Sequence, residues 1–154
     1  MSSCFFIGHR NTPEAIYDPL LESIKRHIRE HGVLAFYVGH CGAFDCMASR
    51  ALCEAKSSYP HIKNYLLLVY HPAIKKVDTP KGFESTLFLE GQEKSPPRYA
   101  IANFNKRMVQ KVDYLITYSR YITDGSHNLL NYAMAKEKKG LLVITNLATT
   151  LPGI

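Results

Sequence analysis

Tryptophan is absent from the chain, and cysteine occurs four times, at Cys4, Cys41, Cys46 and Cys53. No two cysteines form a CxxC pair, which removes zinc-ribbon and thioredoxin-type redox motifs. Cys46 and Cys53 stand seven residues apart and share one face of an expected helix. The expected state is four reduced, mostly buried thiols in a reducing compartment. Zinc held by His40, Cys41 and Cys46 is the competing reading, on poor ligand spacing. No apolar run approaches 18 residues, so no helical membrane span is expected. The N-terminus lacks a basic segment followed by a long apolar one, and a cytoplasmic protein is expected. Neither GxGxxG nor a Walker A loop occurs, which removes the commonest dinucleotide and triphosphate fingerprints. Internal repeats and low-complexity tracts are also missing.

What is present reads as one α/β unit over residues 1–154. The chain is 46% hydrophobic and 21% charged, enough for a core without metal or disulfide staples. Short apolar runs alternate with helical periodicity. "CFFI" (4–7), "VLAFYVG" (33–39), "YLLLVY" (65–70), "DYLITYS" (113–119) and "LLVIT" (141–145) read as buried parallel strands. Between the first two, Thr12, Pro13 and Glu14 read as a helix start. Ile16, Leu20, Leu21, Ile24 and Ile28 follow at helical spacing up to Gly32, with Pro19 either restarting or kinking the helix. Residues 43–57 form a helix with a small-residue face of Ala48, Ala51 and Ala55. Residues 98–112 and 124–140 carry two more. Residues 71–97 show no period and hold four prolines, so they read as an irregular insertion, either a lid or a subunit contact. The expected fold is therefore a Rossmann-like three-layer sandwich with a mostly parallel sheet of about five strands.

Ligands of such sheets bind beyond the carboxyl ends of the strands, where strand order reverses. Three short polar segments are expected to converge there: Gly8-His9-Arg10, Gly39-His40-Cys41-Gly42, and Asp124-Gly125-Ser126-His127-Asn128. Glycines let backbone N–H groups approach a ligand, and helix N-termini add partial positive charge. Arg10 suits a bidentate contact to phosphate. Asp45 either caps its helix or accepts hydrogen bonds from ribose hydroxyls. Arg98, Asn105 and Lys106 are placed to reach the same crevice from its side. The formal charge of +6 fits an anionic partner without identifying one.

The segments "FIGHR", "YVGHCGAFDCMAS", "PPRYAIANFNKRMV", "DYLITY" and "GSHNLLNYA" occur in that order. Together they resemble the SLOG superfamily of Rossmann-like proteins, related to the LOG phosphoribohydrolases and to DprA. The resemblance is nearest to its small bacterial and phage branch. It implies a nucleotide or ADP-ribose-like ligand, no further cofactor, and self-association. It carries binding roles to Gly8, Arg10, Gly39, Gly42, Asp45, Arg98, Asn105, Gly125 and Ser126, and His9, His40 and Asn128 on the same loops complete the candidate set. The hydrolase branch has a glutamate where this chain has Asn131, and a threonine where it has Asn128. An amide cannot act as the carboxylate of glycosidic cleavage. The first expectation is thus a protein that binds a nucleotide derivative as a sensor or sequestering module. Cleavage or transfer of a glycosidic bond, using Asp45, is the alternative. Nucleic-acid binding by the basic surface is the second alternative.

Overall fold

The computed structural model describes residues 2–8, 11–40, 42–71, 73, 76–94, 96, 99–119 and 127–150, the side chains of 127, 128, 130, 149 and 150 excepted. Among these residues six strands run β1 (Ser3–Gly8), β2 (Ala35–Val38), β3 (Lys63–Leu68), β4 (Ser85–Phe88), β5 (Tyr114–Tyr118) and β6 (Val143–Asn146). Among the described residues five α-helices accompany them: α1 (Tyr17–His31), α2 (Ala43–Ser58), α3 (Ala100–Lys111), α4 (His127–Lys138) and the short α5 (Leu147–Thr150). The sheet order is β4-β3-β2-β1-β5-β6, and every pairing is parallel. This is the doubly wound α/β class expected from the alternation of apolar runs and helical segments.

Both faces of the central strands are buried, which is why these strands read as continuous apolar runs. Alternate residues of β1 serve opposite layers. Cys4 and Phe6 join Phe36, Val38, Leu20, Ile24 and Leu52 under α1 and α2. Phe5 and Ile7 join Leu67, Leu115, Phe104, Met108 and Val109 under α3 and α4. Ala48, Ala51 and Ala55 are fully buried, so α2 approaches the sheet closely, as its small-residue face requires.

Pro19 falls in the first turn of α1, where its missing N–H would have no helical partner. A 3-10 turn, Glu14–Ile16, precedes α1, so the chain restarts here rather than kinking. The residue flanking that turn is Pro13, not Thr12, and Thr12 is buried. Gly32 ends α1 in the left-handed conformation, with φ 66°.

The sheet has six strands rather than five. The additional strand, β4, lies inside the stretch that reads as irregular. An edge strand covers little core, so Ser85 and Thr86 need no apolar neighbours to take their place beside β3. The connection from β3 to β4 contains no helix among its described residues, although the two strands are parallel. Buried Asn64 secures it, donating from Nδ2 to the carbonyls of Gly82 (3.1 Å) and Leu52 (3.4 Å). The Cys53 thiol donates to the Lys81 carbonyl at 3.2 Å. Gly82, at φ 89°, packs directly on the Cys53 sulfur.

Candidate functional site

From β1 the chain winds outward through β2 and β3 to β4, then crosses back to place β5 on the other side of β1. Strand order therefore reverses between β1 and β5. Gly8 and Tyr118, the last residues of these two strands, are register partners. The carboxyl ends of β1 and β5 thus open side by side, forming the crevice such folds use for ligands.

Two side chains from the first turn of α2 shape one wall. A methyl group added at Gly8 would fall inside the Phe44 ring. Phe44 is buried and packs on the bare backbone at the end of β1. This contact fixes the N-terminus of α2 over the mouth of the crevice. One residue on, the Asp45 carboxylate reaches back over the β2–α2 turn. A β-carbon at Gly39 would lie 3.1 Å from Asp45 Oδ2. Gly42, in extended conformation with φ −169°, precedes α2 and makes no side-chain cap. Asp45 thus places its negative charge at the positive end of the helix dipole. Part of that end's attraction for an anion is already met. The half-buried carboxylate faces the loop as an acceptor, suited to hydroxyl or amino donors.

The opposite wall is held by Asn146, a residue that the sequence reading passed over. Its Nδ2 donates to the Ser119 carbonyl at 3.2 Å, and its Oδ1 accepts from the Ser119 N–H at 3.3 Å. The same oxygen accepts from the Ala148 N–H at 3.0 Å. One amide therefore pins the exit of β5 and starts α5. The available signal was an asparagine closing an apolar run directly before a helix, an Asx-type cap.

Gly8, Gly39, Gly42 and Asp45 come together at the carboxyl ends of β1 and β2, with half-buried His40 between the glycines of the turn. Asn105 stands in the other layer, half-buried on α3. It lies on the side facing α4, next to Lys106, whose Nζ sits 5.0 Å from the Tyr132 ring centre. His9, Arg10, Arg98, Gly125 and Ser126 lie outside the described residues, as does the Asn128 side chain. Asn131 is exposed on α4. Among the described residues no three His, Cys, Asp or Glu side chains are placed to hold a metal. Cys41, part of the sequence-based zinc set, is outside them.

Fold and crevice together define a doubly wound, Rossmann-like protein with its candidate site at a topological switch point. The chain matches no family model, and no curated protein matches it. Its fold is similar to that of a solved structure of DNA processing protein A from Helicobacter pylori, described for its single-stranded DNA binding mode. The TM-score is 0.55 and the identity 13%, over 97% of this chain and 71% of that one. At that identity the likeness establishes a shared fold.

Proposed function

We propose that this protein binds single-stranded nucleic acid across the crevice between β1 and β5. The observation that carries the reading is the switch point itself, set in a fold shared nearly end to end with a protein that binds single-stranded DNA. The excess of cations over anions, +6, supplies the electrostatic attraction such binding requires. In this reading Arg10, two residues beyond β1, contacts a phosphate. Asp45 accepts from an exocyclic amine or sugar hydroxyl. The arrangement accords with the resemblance to the SLOG superfamily.

The test is fluorescence anisotropy with a labelled oligothymidylate at rising salt. Affinity is expected to fall linearly on a log–log plot, with a slope of about −0.7 per phosphate neutralised. Arg10→Ala is expected to weaken binding and lower that slope by about one phosphate's share. Absence of binding at low salt overturns the reading.

A second reading, a free nucleotide derivative in the same crevice, is favoured by one observation. The Asp45 carboxylate over Gly39 suits a ribose better than a phosphate. Thermal shift with nucleoside phosphates and ADP-ribose separates the two. Saturation by a mononucleotide, with no affinity for the oligonucleotide, selects the second. Self-association, which the same resemblance implies, is checked by light scattering of the purified chain.

A further inference from the structure

The layer formed by α3 and α4 covers only part of its face of the sheet. Leu67, near the end of β3, and Val69, just beyond it, are buried with Phe104 beneath α3. Lower down, Tyr37 of β2 and Tyr65 of β3 are only half-buried. They are register partners, and their rings stack with centroids 5.3 Å apart at an interplanar angle of 18°. That distance is close to the spacing between adjacent strands, so the stack runs across the sheet.

The row continues in register from Leu115 to Phe5, Tyr37, Tyr65 and Ser85. On one side of the stack stands buried Phe5. On the other stands Ser85, too small to cover the outer face of the Tyr65 ring. Since β4 is the outermost strand, this leaves a slot that opens at the sheet edge. Its floor is Ser85, one wall is the Tyr65 ring, and partly exposed Leu87 stands two residues above on the same face. Lys63, exposed, lies two residues below Tyr65 on that face.

The side of α3 that looks toward β4 is cationic. Arg107 donates to the Glu90 carbonyl at 2.6 Å and to Gln92 Oε1 at 3.4 Å, in the connection that leaves β4. Lys111, one turn on, is exposed on that same side. A planar aromatic wall with an open face, on a side of the sheet that carries Lys63 and, on α3, Arg107 and Lys111, matches a nucleobase with its phosphates. A second copy of this chain fits less well, because two-fold pairing of the patch would set its cations against their own copies.

We propose that the Tyr65 ring above Ser85 is a base-stacking platform for single-stranded nucleic acid, with Lys63 and Lys111 taking the flanking phosphates. The platform lies on the sheet face, apart from the crevice at the strand ends, and rests on the proposed nucleic-acid binding. Stacking needs the ring and not its hydroxyl, so Tyr65→Phe should keep oligothymidylate affinity within about twofold. Tyr65→Ala should weaken it about five- to hundredfold. Ser85→Tyr extends the aromatic row, suits a strand, and fills the slot. It should weaken binding as Tyr65→Ala does while the circular dichroism and thermal midpoint stay at or above the parent's.

Measured by anisotropy on the full chain, equal affinity in Tyr65→Ala and Ser85→Tyr overturns the platform. The crevice reading stands in that case, because the parent still binds. No binding by the parent removes both. A doubled mass by light scattering that Ser85→Tyr abolishes would overturn the platform in favour of a second copy.

Discussion

Gly8 and Phe44 share a volume that only one side chain can fill. Gly8→Ala sets a methyl against a buried ring whose helix has little room to retreat, because Ala48 and Ala51 already seat it on the sheet. The expected cost is about 1–3 kcal/mol by urea unfolding, with part regained in Gly8→Ala/Phe44→Leu. An unchanged midpoint in the single variant would contradict the packing described. At the other end of the sheet, buried His27 donates from Nδ1 to the Ser23 carbonyl at 2.7 Å, while its Nε2 has no partner. Its ring lies edge-on to Tyr114 and to His31. Burial holds its pKa below the ordinary histidine value, so the folded state prefers the neutral ring. The unfolded chain takes up a proton near pH 6.5, and the folded chain only at lower pH. Stability from this residue is thus complete above about pH 6.5 and declines as pH falls toward the folded-state pKa. Urea midpoints at pH 7.5 and 5.5 should differ more in the parent than in His27→Leu. An equal difference would remove His27 as the cause.

Among the elements, the link from β3 to β4 depends most on single contacts. With no helix among its described residues, it is held to α2 by Asn64 and Cys53. Asn64→Ala leaves the Gly82 and Leu52 carbonyls without this donor, at a cost of about 1–3 kcal/mol. Limited proteolysis should then cut within 76–84 sooner than in the parent, and equal cutting rates would place the anchor elsewhere. This region also shows where sequence reading stops. "CFFI" and the "LLLV" centre of "YLLLVY" announce strands because both faces are buried there, and apolar side chains fill them. β4 announces nothing, since an edge strand is set by its neighbour's backbone rather than by its own composition. The glycines of the candidate site were legible as places of close approach. What approaches Gly8 is a ring from the first turn of α2, and nothing local to "FIGHR" encodes that partner. The Tyr37–Tyr65 stack was hidden for a related reason: each tyrosine reads as ordinary strand until the register sets them side by side.

For the molecule as a whole, charge should matter more to the proposed binding than to stability. The ion pairs Arg26–Glu30, Arg29–Glu22 and Arg50–Glu14 are all substantially exposed, and such pairs contribute about 0–1 kcal/mol each. Raising sodium chloride from 50 to 500 mM should therefore shift the thermal midpoint only slightly. Oligonucleotide affinity over the same range should fall by orders of magnitude. Parallel loss of both would mean that surface charge holds the fold together, against the apolar packing seen on both faces of the sheet. No described helix is long and apolar enough to cross a membrane.

The outermost strands, β4 and β6, are each only four residues long. Short borders of this kind offer few backbone groups for a foreign strand to copy. Concentrated protein should accordingly resist fibre growth, with thioflavin fluorescence staying flat under conditions in which the chain remains folded.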